Sequence, residues 1–310
     1  MFKLVCILPN GPLKNVLKRL RLYYPPLHRL MALSKGNTES LVARSKEFSE
    51  LLNDVLINGV WKRTGLGRLT ILDEWVVSFL TTSSGSFKIL DVGGSDGSTT
   101  FDTLRYFQEN LNVEAKAAIL ELHLRLHCFR RGCLRYYLTH DQSPLLLQIG
   151  PLGVLFEETK GKEGVVFNPI VRIIKKYLQC FSLEKYLKND GDLILQSPLV
   201  ENSPNIIWIE QNLFHFDPAM AETFDFIRCC NVLNCGYFSD AQIYDAVRLL
   251  TFYLKHKGLL LVSRTIDTST GPLHTASLWM KNGEVIQHIS DLNGGSEVKK
   301  IVTANGPTPQ

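Results

Sequence analysis

Residues 89–100 read Ile-Leu-Asp-Val-Gly-Gly-Ser-Asp-Gly-Ser-Thr-Thr, so Asp91 and Asp96 flank a turn holding Gly93, Gly94 and Gly97. Glycines at this density let the backbone turn tightly and let another group approach it closely. Carboxylates at such a turn suit a cation better than a phosphate. Two like charges about 4 Å apart repel by roughly 1 kcal/mol in water and by more in a partly dry cleft. The dinucleotide fingerprint G-x-G-x-x-G also fails: counted from Gly93 it meets Ser95 and Ser98, and counted from Gly94 it meets Asp96. The phosphate-loop pattern is absent as well. A nicotinamide-dependent oxidoreductase is therefore disfavoured, and a positively charged ligand is expected.

Other residues could carry chemistry. His123, His127, Cys128 and Cys133 suggest a metal site, but no Cys-x-x-Cys pair supports one. If residues 120–127 form a strand, these histidines share a mixed polar face with Glu121 and Arg125. No metal is expected. Cys229, Cys230 and Cys235 lie on or near an apolar run with no histidine partner at a telling spacing, and read as inert core thiols. His215, Asp217, Tyr237 and Asp240 are general-base candidates, though each better suits a local cap or turn. No catalytic residue is assigned.

The glycine turn needs a strand before it and a helix after it. FKILDV supplies the strand, and Phe101, Leu104, Phe107 and Leu111 supply a helical stripe, with Thr99 and Asp102 as its start pattern. Residues 116–122 give a second strand, 204–214 a third and 224–233 a fourth. Ser239 and Gln242 form a capping box for a helix along Ile243, Val247, Leu250 and Leu254, with Lys255–Lys257 at its last turn and Gly258 as its cap. GLLLVS is the next strand, and TASLWM and EVIQHI form a hairpin around Lys281-Asn282-Gly283. This alternation predicts an α/β fold, a doubly wound, mostly parallel sheet closed by a C-terminal antiparallel hairpin.

Around this unit the sequence predicts a basic N-terminal arm (1–35), a helical extension (36–84) including helices over 38–57 and 70–80, a long insertion (about 123–203) between the second and third sheet strands, and a loose tail (304–310). The insertion reads as strands over 134–156 followed by an amphipathic helix over 169–187, and it could form a cap over a site.

The chain has 310 residues, 45% of them hydrophobic, which suffices for one large core or a core with an accessory unit. Its net charge of +4 is uneven: residues 1–35 carry seven Lys/Arg and no acid, leaving −3 for the rest. The body therefore does not read as a nucleic-acid binder. Residues 12–22 place Leu13, Val16, Leu17 and Leu20 on one helical face among lysines and arginines. Such a helix either makes a weak membrane-surface contact or docks on the body with its lysines in water. Seven cysteines in a long chain suit a reducing, cytoplasmic setting, peripheral to a membrane if the basic helix binds one. The run LVCIL is too short to span a bilayer, and no signal peptide is expected.

Asp91-Val92-Gly93-Gly94-Ser95-Asp96-Gly97 resembles the first motif of the class I S-adenosylmethionine-dependent methyltransferases, an acid followed by spaced glycines, with Ser95 in place of the middle glycine. The resemblance implies S-adenosyl-L-methionine as cofactor and methyl transfer to an unidentified small molecule, lipid or protein side chain. It implies that Asp91, Gly93, Gly94, Ser95 and Gly97 hold the methionyl part, that Glu121 holds the ribose hydroxyls, that Asn212 lies near the adenine, and that Asn231 lies beside the methyl donor. Residues 224–239, FDFIRCCNVLNCGYFS, are locally similar to the chemoreceptor glutamate methyltransferases, although that family's N-terminal module has no visible counterpart here. No Asn/Asp-Pro-Pro-Tyr/Phe motif supports amino-group methylation. A non-catalytic cofactor-binding or scaffold module is the alternative.

Overall fold

The computed structural model describes residues 2–8, 12–20, 22–36, 40–80, 85–156, 183–201 and 203–305. In chain order the elements begin with strand β1 (Phe2–Ile7), helix α1 (Pro12–Arg19), β2 (Tyr23–Tyr24), α2 (Leu27–Lys35), α3 (Leu41–Leu52), β3 (Leu56–Ile57) and β4 (Val60–Trp61). Then come α4 (Thr70–Val77), β5 (Ser86–Val92), α5 (Ser98–Leu111) and β6 (Glu114–Glu121). They are followed by β7 (Arg125–Arg131), β8 (Leu134–Thr139), β9 (Pro144–Ile149), β10 (Leu152–Phe156), β11 (Lys188–Ile194) and α6 (Pro198–Glu201). The last are β12 (Ile206–Glu210), β13 (Phe224–Cys230), α7 (Asp240–Tyr253), β14 (Leu254–Thr268), β15 (Gly271–Asn282), β16 (Val285–Leu292) and α8 (Lys299–Asn305). They fall into two units, residues 1–65 with 123–202, and residues 66–122 with 203–310.

The first unit is a seven-stranded sheet in the order β11-β7-β8-β9-β10-β1-β2, antiparallel except for the β1–β2 pair. Antiparallel sheets can be built from hairpins, and the consecutive strands β7 to β10 are paired in that way. One sheet face buries Leu126, Tyr137, Leu146, Leu155 and Leu193 in the same core as Leu27, Leu30 and Leu33 of α2 and Phe48 and Leu52 of α3. The apolar run near the N-terminus is thus an inner strand of a sheet. The helix predicted over 38–57 stops at Leu52, and Leu56–Ile57 pair with Val60–Trp61 instead. The helix predicted over 169–187 lies largely outside the described residues, and Leu183–Tyr186 form a single 3₁₀ turn. Residues 306–310 of the tail also lie outside them. Among the described residues, no helix is long and apolar enough to cross a membrane.

The second unit is the doubly wound sheet, in the order β12-β6-β5-β13-β14-β15-β16. Its first five strands are parallel, and β15 and β16 close it antiparallel. Successive residues of a strand face opposite sides. Leu90 and Val92 of β5 and Ile227 and Cys229 of β13 share a core with Ile243, Ala246, Val247 and Leu250 of α7. On the other face, Phe107 of α5 meets Phe87 and Phe226 at ring distances of 5.7 and 5.5 Å. By the same alternation, Asp91 and Arg228 point to this α5 face. The order in which strands are added reverses at β5: β6 and β12 lie to one side, β13 and β14 to the other. Such a switch point leaves a crevice at the C-terminal ends of the strands.

Helix α7 has the predicted capping box: Ser239 Oγ accepts from the Gln242 amide, and the Ser239 amide donates to Gln242 Oε1 at 3.0 Å. Its other end differs from expectation. The helix stops at Tyr253, and Lys255–Lys257 belong to β14. The carbonyls of Phe252 and Tyr253 accept from the amides of Glu222 and Thr223, so no glycine cap is required there. Lys255 pairs with Asp225 at 2.7 Å. Replacing Ser239 by alanine should cost about 1 kcal/mol, read as a lower urea midpoint at unchanged slope.

Candidate functional site

The site is built on the turn between β5 and α5. Gly93 has φ +70°, and its amide donates to the Leu120 carbonyl at 2.8 Å. A Cβ on Gly93 would lie 2.3 Å from Val232 Cγ2, and one on Gly94 would lie 2.8 Å from Ile119 Cγ2. The space left by these two glycines is therefore taken by the chain's own side chains, whereas the sequence predicts that it admits a ligand. Ser95, at φ +58°, holds the left-handed conformation that a glycine adopts freely. An L-residue gives up roughly 1–2 kcal/mol there. Its amide donates to Glu121 Oε2 at 3.0 Å. Its hydroxyl is buried, the residue being 6% exposed, and has no hydrogen-bond partner. Gly97, at φ +81°, caps α5.

Asp91 does something other than greet a cationic ligand. It is 2% exposed, and Arg228 of β13 is 0% exposed beside it. Arg228 Nε donates to Asp91 Oδ1 at 3.1 Å, and Nη2 donates to Asp91 Oδ2. Thr100 Oγ1 donates to Asp91 Oδ2 at 2.5 Å. The fork of the guanidinium matches a carboxylate in this way, and each charge offsets the other. The remaining donors of Arg228 reach Thr99 Oγ1 at 3.3 Å, Thr103 Oγ1, and Asp73 Oδ1 of α4 at 3.5 Å. Thr103 Oγ1 in turn donates to Asp73 Oδ1 at 2.8 Å. Burial pushes Asp73 up to about 7, against the opposing pull of Arg228 and the Thr103 hydrogen bond. Burial alone would lower the Arg228 pKa, but Asp91 and Asp73 carry it upward and keep the guanidinium charged.

The second acid of the turn is also turned inward. Asp96 is 0% exposed, its Oδ1 accepts from the Ser98 amide at 3.0 Å, and its Oδ2 accepts from Ser98 Oγ at 3.1 Å. It therefore serves the first turn of α5, the role the sequence assigns to Thr99 and Asp102. Asp102 accepts instead from the Gly67 amide at 2.6 Å. A carboxylate at a helix N-terminus occupies the place where a diphosphate would otherwise bind.

The other predicted residues lie on the same rim of strand ends. Glu121 closes β6; its Oε1 accepts from the Leu122 amide at 3.0 Å and its Oε2 from Ser95. Asn212 follows β12, is exposed, and its Oδ1 accepts from the Phe214 amide. The preceding Gln211 amide donates to the Glu121 carbonyl at 3.1 Å, which places Asn212 near that strand end. Asn231, at φ +63°, follows β13. Its side-chain amide is tied to Thr265: Oδ1 accepts from the Thr265 amide at 2.6 Å, and Nδ2 donates to Thr265 Oγ1 at 3.2 Å. Asn231 thus sets the path of its loop, and the next residue, Val232, covers Gly93. Burial pushes the Cys230 thiol up to about 11, as expected of an inert core cysteine. Asp217 accepts from the Ala219 amide, capping a 3₁₀ turn. His127 pairs with Asp192 at 2.8 Å, and among the described residues no His/Cys/Asp/Glu group could hold a metal ion.

Arg228, Asp73 and Thr265 were not picked out from the sequence. For Arg228 a signal existed. An arginine inside the apolar strand FDFIRCC must be paired where it is buried, and an acid on a neighbouring strand is its natural partner.

No protein-family model matches the chain, and no curated protein matches it in sequence. Among solved structures it is similar to the CMeT domain of the citrinin polyketide synthase (14% identity over 78% of this chain and 48% of that one, TM-score 0.33). It is also similar to the mitomycin 7-O-methyltransferase MmcR (14%, 78% and 49%, TM-score 0.31). A third is the PH0226 protein of Pyrococcus horikoshii OT3 (9%, 76% and 79%, TM-score 0.34). The chain spans about half the length of the first two. At TM-scores this low the likeness carries no argument about function.

Two outcomes test the buried network. Arg228→Met leaves Asp91 buried without its counter-charge and should destabilise by about 3–5 kcal/mol. The double variant Arg228→Met/Asp91→Asn should recover part of that in urea unfolding. Asp73 binds its proton more tightly in the folded chain (about 7) than at its ordinary 3.8. Its favourable contribution is complete below the lower value and is lost as pH rises through the upper one. The urea midpoint of Asp73→Asn, measured relative to the parent, should therefore climb across that window.

Proposed function

We propose that this rim binds S-adenosyl-L-methionine and that the unit of residues 66–122 and 203–310 transfers its methyl group to an acceptor. The observation that carries the proposal is the Ser95 hydroxyl: buried, without a partner, and held on a left-handed turn at the switch point of the sheet. A buried hydroxyl left unpaired costs about 1–3 kcal/mol. A ligand whose polar group reaches it removes that cost.

The surrounding groups fit this cofactor. The amino-acid end of the ligand would lie along the Gly93–Gly97 backbone against Ser95 Oγ. Glu121, at the end of β6, is held by the Ser95 and Leu122 amides, and an acid at this strand end suits the ribose hydroxyls. Asn212 would lie near the adenine and the Asn231–Val232 loop near the methyl group. Asp91 acts at one remove, holding the turn through Thr100 and Arg228. The inward Asp96 carboxylate disfavours a diphosphate, and with it a nicotinamide dinucleotide. When bound, S-adenosylmethionine supplies a sulfonium-activated methyl group, which an acceptor lone pair takes as the carbon–sulfur bond breaks and S-adenosylhomocysteine leaves. The protein's task is then mostly alignment, which can supply several kcal/mol of the barrier. A base is needed only for an acceptor that is protonated at neutral pH.

Titration calorimetry with S-adenosylmethionine and S-adenosylhomocysteine tests the reading. Ser95→Ala should give opposite signs in two measurements: unchanged or higher stability without ligand, because the unpaired hydroxyl is gone, and affinity lower by about tenfold. Glu121→Ala should weaken binding by at least as much. No heat with either compound, or tighter binding of a nicotinamide dinucleotide, would overturn the assignment. Binding without turnover across a broad acceptor screen would leave the cofactor site standing and remove the enzyme.

A further inference from the structure

Helix α1 is attached to its unit in the reverse of the usual way. Ordinary surface helices bury an apolar stripe and expose their charges. Here the half-buried Lys14 and the exposed Lys18 both reach Asp54, with Nζ atoms 3.3 and 2.6 Å from its carboxylate and 5.4 and 5.6 Å from the centre of the buried Tyr23 ring. Much of the aliphatic stripe turns outward: Leu13 and Val16 of α1 and Leu20 just after it are 61%, 53% and 60% exposed, while Leu17 is half-buried. Apolar side chains gathered on one exposed face mark a contact surface more often than scattered ones do.

Charge indicates what that surface meets. The unit of residues 1–65 and 123–202 holds 22 Lys/Arg against 12 Asp/Glu, a net +10, while the other unit holds 12 against 18, a net −6. Arg19 stands exposed beside Leu20 on α1 itself. A nucleic acid would satisfy the charge but leave three aliphatic side chains in water. A second copy of the chain would cover them but bring two strongly positive units together. An anionic lipid surface satisfies both features, taking aliphatic side chains among its acyl chains and attracting lysines and arginines at its headgroups.

We propose that the unit of residues 1–65 and 123–202 docks on anionic membrane surfaces through the outward face of α1. This does not rest on the methyl-transfer reading. The test is flotation of the full-length chain with vesicles of phosphatidylcholine, with and without phosphatidylglycerol. The parent should float with the anionic vesicles and not with the neutral ones, and added salt should weaken the binding. Leu13→Glu and Leu20→Glu replace exposed residues, so the fold should be kept, as circular dichroism would verify. Each should cut the bound fraction by about tenfold, whereas Val42→Glu, 59% exposed on α3, should float like the parent. The proposal fails if the parent does not float, if Leu13→Glu floats as the parent does, or if flotation is indifferent to phosphatidylglycerol. It also fails if light scattering shows a dimer that Leu20→Glu dissolves while flotation is absent, or if the chain binds RNA duplex but not vesicles.

Discussion

A fully buried guanidinium holds the centre of the doubly wound sheet. Arg228 on β13 is bonded to Asp91 on β5, to threonines of α5 and to Asp73 of α4, so one side chain ties two neighbouring strands to two helices. Desolvating such charges is expensive, and a buried ion pair is weak evidence for stability by itself. Its effect here is geometric. The guanidinium fork accepts only a narrow set of positions for Asp91, and Asp91 is the residue from which the glycine turn departs. Gly94 is then confined against Asp91, Thr100 and Ile119, and Gly93 against Val232.

This lock changes what the turn can recognise. The two aspartates that seem, in the linear sequence, to present negative charge to a ligand are both spent within the protein: Asp91 on Arg228 and Thr100, Asp96 on the first turn of α5. The Ser95 hydroxyl is left without a partner, and the Ser95 amide joins this turn to the Glu121 carboxylate. Under the proposed reading, recognition would rest on a strained serine at a glycine's position and on the acid at the end of the next strand. The local rule against a left-handed serine is broken at the proposed site, where such strain is expected to collect.

Grouping of distant segments also changes the electrostatic picture. Read linearly, the net positive charge lies in residues 1–35 and the remainder is mildly acidic. Folding places residues 123–202 with residues 1–65, and the basic arm becomes part of a large basic unit. The fold has separated the charges into one positive and one negative unit, and the aliphatic face of α1 belongs to the positive one.

Much of this protein could be read in its sequence. Strand–turn–helix order around residues 86–111, the alternation of later strands and helices, the Ser239–Gln242 box and the closing hairpin all follow from periodicity and from short-range hydrogen bonds that neighbouring residues settle among themselves. The rim residues Glu121, Asn212 and Asn231 are named from the family resemblance, and periodicity places only the strand ends on which they lie. Only the tertiary structure decided the rest. Asp91 meets Arg228 across 137 positions, Asn231 turns its amide to a strand 34 residues away, and α1 lays its lysines on Asp54 and turns Leu13 and Val16 outward. Each depends on which partner is present when a charge or amide leaves water. A carboxylate looks alike in sequence whether it faces a ligand or an arginine, because the pairing that offsets its burial is made by residues far along the chain.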